Sequence, residues 1–442
     1  MADDAKPVEY ESTLPEPDAQ PPKGALSVIF LIVLMDLLGF GIIIPLLAFY
    51  VPNFTEHPGQ VTALFSVYSI CQFIGAPILG LMSDRFGRRP VLALSQAGSA
   101  IGYLLLAVAA FDWHNPGTRL LLVYASRIID GFTGGNISTA QAYVSDVTTR
   151  ANRAKGMGLL GAAFGIGFSI GPAVGGLMGG YIGLSAPGYF AAALATIAAV
   201  LSWTRLPETR KRTHTDAENW LHPRRFAPVL RKPVLVQLLA IGFFVMFAFV
   251  MMESTIAMFL NKSETFGWGE KGVGFYFLFA GIVIVIVQGG LIGRLTKKLG
   301  DWPLCITGPF LVSIGMAGLV AVAFLKPHVA FPLLMTILLV GGASNAIGRS
   351  LQQPTLSSLL SKFSATNEQG LVFGLYHGLS SLARVFGPLV AWQAYRVLNG
   401  SGQFVLAGAI TVVLGLWTLA LRQTPPHESV PEAPAEAATE RG

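Results

Sequence analysis

The segment GLMSDRFGRRP, residues 80–90, sets Asp84, Arg85, Arg88 and Arg89 between two long apolar runs. Charge gathered so tightly between such runs marks a short turn at a membrane surface, where Gly80 and Gly87 let helix and turn backbones approach closely. Asp84 is placed to bridge to an arginine or a helix N-terminus. Arg85, Arg88 and Arg89 hold the turn on the cytoplasmic side.

The flanking runs belong to a long series. Of 442 residues, 52% are hydrophobic and only 12% charged, about half the charge of a soluble domain at roughly 25%. Apolar runs fall at approximately 26–50, 61–82, 90–111, 119–143, 156–182 and 187–206, then at 233–260, 271–293, 303–325, 329–357, 371–396 and 403–421. Each is near the roughly 20 residues that cross a bilayer as a helix. The pattern predicts an all-α polytopic membrane protein of twelve helices, set in a lipid bilayer.

The net charge of +6 does not point to nucleic acid, because the basic residues cluster in short loops. One set of loops holds Arg85, Arg88, Arg89, Arg150, Arg153, Lys155, Arg294, Lys297, Lys298 and Lys362, together with Arg210, Lys211, Arg212, Arg224, Arg225, Arg231 and Lys232. The opposite loops hold Arg119, Lys262, Lys271, Lys326 and Arg396. This bias places both termini in the cytoplasm. The expected organisation is a disordered N-tail (1–24), a six-helix bundle (25–206), a cytoplasmic linker (207–232), a second six-helix bundle (233–423) and a disordered C-tail (424–442). The N-tail lacks a basic start and a cleavage-like site, so a cleaved signal peptide is not expected. Cys71 and Cys305 lie inside apolar runs and suit neither a disulfide framework nor a metal site.

The two halves echo one another. Gly158, Gly171 and Pro172 return at a constant offset of 216 residues as Gly374, Gly387 and Pro388, and the opening turn returns in degraded form as Gly290, Gly293, Arg294, Lys297, Lys298 and Gly300. Parallel repeats of this kind build secondary transporters.

The spacing G-x-x-x-D-R-x-G-R-R from Gly80 to Arg89 resembles the signature loop of the major facilitator superfamily, and the resemblance covers residues 25–423. In the fifth run, Gly158, Gly167, Gly171, Pro172, Gly175 and Gly176 are similar to the antiporter motif of its drug/proton exchangers. Small residues let a neighbouring helix lie close, and Pro172 weakens one backbone hydrogen bond. The string from Asp36 through Gly39, Gly41 and Pro45, which includes Phe40, resembles the first helix of the tetracycline-efflux branch. Asp36 lies roughly 15 Å along its helix by the rise per residue, near the bilayer midplane. It either pairs within the first bundle or carries protons.

In the fourth run, Arg127 and Gly131 resemble the superfamily motif whose arginine is associated with proton coupling. Asp130 shares a helical face with Arg127, where many relatives carry a neutral polar residue, so the pair is either a switch on proton affinity or static. In the seventh run, Glu253 either pairs with Arg384 of the eleventh, or binds a proton or cationic substrate. Phe244, Phe247 and Met251 around it offer an adaptable apolar wall. By analogy with the family, helices 1, 4, 7 and 10 line the cavity, which makes Asn345, Arg349 and Gln352 candidate substrate contacts beside Gln353.

No phosphate-binding glycine loop, zinc spacing or nucleophile–base pair is present, so no enzyme activity, cofactor or metal is expected. The resemblance implies a monomeric secondary transporter in the cell membrane, driven by the proton gradient and exporting a small lipophilic, cationic or tetracycline-like molecule. Symport or uniport of a metabolite, sugar or lipid, and a non-transporting receptor or scaffold, are the rival readings. Asp84 and its arginines are expected to latch the halves together on the cytoplasmic side until the protein opens inward.

Overall fold

The computed structural model describes residues 24–51, 57–111, 115–148, 150–209, 227–326, 328–364 and 368–422. The two tails and most of the basic linker lie outside the described residues.

Twelve long helices stand among the described residues. They are α1 (Ala25–Tyr50, interrupted around Pro45), α2 (Gly59–Phe86), α3 (Arg88–Ala109), α4 (Pro116–Thr133, continued through a 3-10 turn by Ile137–Val147), α5 (Arg150–Tyr181) and α6 (Ser185–Arg205). The second six are α7 (Pro233–Asn261), α8 (Glu270–Leu299), α9 (Asp301–Leu325), α10 (Phe331–Phe363), α11 (Gln369–Tyr395) and α12 (Gly402–Arg422). Ten are apolar enough along their length to cross a membrane. The exceptions, α4 and α11, carry Arg119, Arg127 and Asp130 and His377 and Arg384 respectively. Charge lowers their hydropathy because they face protein and the central cleft, where polar groups find partners.

The packing repeats. In the first bundle α1 lies against α5 and α6, α2 against α4, and α3 against α4 and α6; in the second α7 lies against α11 and α12, α8 against α10, and α9 against α10 and α12. The repeated glycines occupy matching places. Gly171 of α5 abuts Gly41 of α1, while Gly387 of α11 abuts Val250 and Phe247 of α7. Gly87 and Gly300, which precede α3 and α9, both have positive φ (104° and 79°), a conformation suited to glycine. At Gly87 a Cβ would also strike the Glu208 carboxylate at 2.4 Å.

The two bundles meet through α2 against α11 and α5 against α8. Contact runs from one end of these helices to past their middles, where a Cβ on Gly165 of α5 would lie 2.8 Å from the Gln288 side chain of α8; beyond it, Gln141 of α4 and His377 of α11 approach to 3.5 Å. Away from the end where both termini emerge, a Cβ on Gly59 would lie 2.6 Å from Trp392, one on Gly176 2.5 Å from Gly274, and one on Gly180 2.3 Å from Lys271. Deeper in, Ser66 Oγ donates to the Val385 carbonyl at 2.9 Å. Toward the termini the same helices part, and a Cβ on Gly158, Gly161, Gly289, Gly290, Gly293, Gly374 or Gly378 would meet nothing within 4 Å. The molecule is therefore a V whose mouth faces the end bearing its termini and basic loops. In α8 this opening coincides with a π-helical segment, Val287–Leu291, a local irregularity that often accompanies function.

Candidate substrate and proton site

At the floor of the V lies a cleft walled by Asp36, Leu37 and Phe40 of α1, Tyr68 and Gln72 of α2, Asp130 of α4, Phe164 and Phe168 of α5, and Arg384 of α11. Its position follows from the α5 glycines. Cβ atoms on Gly167, Gly171 and Gly175 would strike Leu37, Gly41 and the Ile42 carbonyl at 2.6, 2.8 and 1.9 Å, so spacing by four residues presses α5 onto α1. The next residue, Gly176, faces α8 of the other bundle. One run of small residues thus seats the helix that bears Asp36 and forms the closed end of the V. A Cβ on Gly158, the motif's first residue, would meet nothing within 4 Å.

Asp36 is buried, with Gln96 of α3 donating Nε2–H to its Oδ1 at 3.0 Å. Asn136, in the 3-10 turn of α4, lies beside it and donates to Ser95 Oγ at 2.8 Å. Arg127 and Asp130 are only 2% and 1% exposed, so neither charge reaches water. Arg127 Nη1 lies 3.4 Å from Asp130 Oδ2, and its guanidinium sits 5.8 Å from the Tyr68 ring centroid. Arg127 Nε and Asp130 Oδ2 lack hydrogen bonds, while Arg127 Nη2 donates to Ser126 Oγ at 3.1 Å and Ser99 and Tyr103 stand beside the Asp130 carboxylate, so charge, the aromatic face and these neighbours together hold the pair. Asp130 also acts electrostatically on Asp36. The cluster contains two carboxylates and one guanidinium, an excess of one negative charge when all are ionised.

Gln96, Gln72, Tyr68, Tyr103 and Asn136 complete this cluster and were not singled out from sequence. Gln72 and Gln96 nevertheless left a trace, since each interrupts an apolar run with an amide. Phe40 stands in the wall, its ring 4.8 Å from Tyr68 and 5.5 Å from Phe168.

In the second bundle Glu253, Arg349 and Arg384 are drawn into one neighbourhood. Glu253 lies in the field of Arg349 first and of Arg384 second, but within 4 Å of neither. The expected contact ion pair between Glu253 and Arg384 is therefore absent here, because Arg384 faces the cleft of the first bundle. Arg349 stacks on Phe249, its Cζ 3.2 Å from the ring centroid.

Other wall assignments also change. Met251 is completely buried and unavailable to a ligand in this arrangement. Asn345 and Gln352 set their β-carbons against Gly315 and Gly308 of α9, because the close α9–α10 contact claims that face of α10. Gln353, one turn beyond Arg349, is exposed. Phe244 is 39% exposed, and Phe247 is half-buried with its ring 6.0 Å from Phe243.

Every described partner of the basic loop lies on the first bundle's side in this arrangement. Arg88 pairs with Asp84 at 2.7 Å and with Asp146, at the end of α4, at 3.1 Å. Glu208, just beyond α6, accepts from the backbone N–H groups of Arg88 and Arg89 at 2.9 and 3.2 Å. Arg89 places its guanidinium 5.0 Å from the Trp203 ring centroid, and Arg85 lies 5.4 Å from that of Phe86. Gly80 approaches only Ser138. All these neighbours belong to the first bundle, as an open mouth at this end requires.

The arrangement can hold a proton on a buried acid, and it exposes a two-sided cleft to one side of the membrane. A family model described as Major Facilitator Superfamily matches residues 29–388. The tetracycline resistance protein, class C, of Escherichia coli is 31% identical over 417 residues, 90% of this chain and 98% of that protein. Multidrug resistance protein 2 of Bacillus subtilis (strain 168) is 31% identical over 407 residues, 88% and 94% of the two chains. Among solved structures, the human organic anion transporter MFSD10 (TETRAN) superposes with a TM-score of 0.67 at 24% identity, covering 90% of this chain and 100% of that one. A D-xylose–proton symporter gives 0.71 at 18% identity, with 91% and 98% covered.

Proposed function

The chain belongs to the major facilitator superfamily and is a multi-pass membrane transporter, not an enzyme; from that premise we propose that it exports a lipophilic, drug-like molecule in exchange for protons. The observation that carries this reading is the buried Asp36, Arg127 and Asp130 cluster at the floor of the cleft, with one more acid than base. Inside a membrane an unbalanced charge is costly. Arg384 faces the cluster across the cleft but is within ion-pair distance of neither acid, so a proton on Asp36 and a cationic group of the substrate compete to balance the second carboxylate. Competition for a shared site is the thermodynamic basis of antiport. The named tetracycline and multidrug resistance relatives support the same substrate class.

In this reading the protein sits in the cell membrane as a monomer, with the mouth of the V and both termini in the cytoplasm. Substrate enters the cleft while Asp36 is ionised. The bundles then rock about the floor, the glycine faces of α2, α5, α8 and α11 close at the cytoplasmic end, and Asp36 meets outside protons that displace the substrate. The proton gradient supplies the energy, with no cofactor.

Reconstitution of the purified chain into liposomes with an imposed pH gradient tests this. Substrate-dependent proton flux in the opposite direction is expected, and it is lost in Asp36→Asn. Flux in the same direction as protons would favour symport instead, and no flux of any compound would leave only a receptor or scaffold role.

A further inference from the structure

Arg349 and Arg384 are two guanidiniums at membrane depth with no hydrogen bond or ion pair to any described residue. Each is half-buried. Arg349 lies over Phe249, its Cζ 3.2 Å from the ring centroid, a contact that leaves its N–H groups without an acceptor among the described residues. Among the described residues that line the cleft, Arg384 comes from the second bundle, and it shares that lining with Asp36, Asp130, Phe40, Tyr68 and Phe168. The two guanidiniums act electrostatically on each other. Within the second bundle Glu253 is the described carboxylate in their field, while Asp36 and Asp130 of the first bundle face Arg384 across the cleft; Tyr376 and His377, also near Arg384, add no further acid. This half therefore carries one positive charge in excess, mirroring the negative excess of the first bundle across the same cleft.

We propose that Arg349 and Arg384 form an anion subsite for the acidic end of a zwitterionic substrate, whose cationic end lies toward Asp36 and Asp130 and whose planar body lies along Phe40, Tyr68 and Phe168. This rests on the exporter reading and gives it a substrate class. A carboxylate or enolate accepts from the unoccupied guanidinium edges and supplies the countercharge, which a neutral acceptor does not, and such charge-assisted bonds are roughly twice as strong as neutral ones. Glu253 is the internal rival for the two arginines, so removing its charge strengthens the subsite. The cationic end still competes with the proton at Asp36, and antiport is preserved.

The test uses two dyes that share one xanthene body: rhodamine B, which carries a free carboxylate beside its cationic ring system, and its ethyl ester, which keeps only the cation. Binding to the purified full-length chain is read by fluorescence polarisation. The wild type is expected to prefer the free acid by about tenfold or more, the scale of a charge-assisted hydrogen bond. Arg384→Gln and Arg349→Gln should each erase that preference by weakening the acid alone, while Glu253→Gln should tighten it. Equal binding of the two dyes by the wild type, an arginine substitution that weakens both equally, or binding of neither dye would overturn the proposal. The exporter reading fails by a different result, namely dye flux in proteoliposomes that ignores the pH gradient while the acid preference stands.

Discussion

Gln96 on α3 donates its side-chain amide to Asp36 on α1 at 3.0 Å, both residues being buried at the floor of the cleft. The bond ties the helix bearing the acid to the α3–α4 pair that positions Arg127 and Asp130, so the proton site is braced within one rigid bundle. Asp36→Asn keeps the shape and can still pair with Gln96, and the protein is expected to fold normally. Uphill export driven by a pH gradient should then fall to background while downhill flux of the same compound persists, as measured in proteoliposomes. Loss of both fluxes together would assign Asp36 a structural role.

The glycines of α5 separate packing from motion. Gly175→Ala places a Cβ against the Ile42 carbonyl, where 1.9 Å is available, and should cost about 1–3 kcal/mol by overpacking. Gly158→Ala meets nothing within 4 Å in this arrangement and should leave the melting temperature in detergent unchanged. A larger residue there, Gly158→Leu, should still spare stability yet reduce turnover, because the opposite state must close this end. Unchanged transport in Gly158→Leu would remove that face from the closing surface.

Much of this architecture is legible in the sequence, since the apolar runs mark all twelve helices, with three ends displaced by six residues (Arg150, Leu299 and Phe363) where polar turns extend them, and the offset between Gly171 and Gly387 marks equivalent bundle positions. What stays hidden is the direction each polar side chain takes. Asn345, Arg349 and Gln352 lie on neighbouring helical turns, yet the α9 glycines draw Asn345 and Gln352 to themselves and leave Arg349 to Phe249. Helical periodicity fixes relative angles around α10, and only the partner helix fixes which face is inward. Similarly, nothing in the α11 pattern shows Arg384 crossing to the first bundle's cleft.

Access to the two ends of the interface should differ. In a variant lacking Cys71 and Cys305, a single cysteine at Gly374 is expected to react readily with a membrane-impermeant maleimide added to inside-out vesicles, since that position borders open space. A single cysteine at Gly59, where Trp392 covers the backbone, should be protected from reagent on either side. Substrate that drives closure should slow labelling at Gly374. Rapid labelling at Gly59 with protection at Gly374 would mean that the opposite arrangement prevails in the membrane.

Arg88 is the hub of the basic loop, 5% exposed and paired with both Asp84 and Asp146 while its backbone is held by Glu208. Removing it leaves two carboxylates near one another without their shared cation, and Arg88→Gln should destabilise the chain by about 3–5 kcal/mol, the scale for breaking a buried pair. Asp84 is more exposed and shares Arg88 with Asp146, so Asp84→Asn should cost less, about 1 kcal/mol. Its effect should appear in turnover, because the loop must find partners in the second bundle when the mouth closes and an altered charge shifts that balance. Substrate affinity measured in detergent should stay nearly intact, since the loop stands apart from the cleft. A large loss of affinity in Asp84→Asn with unchanged stability would instead connect this loop directly to the binding site.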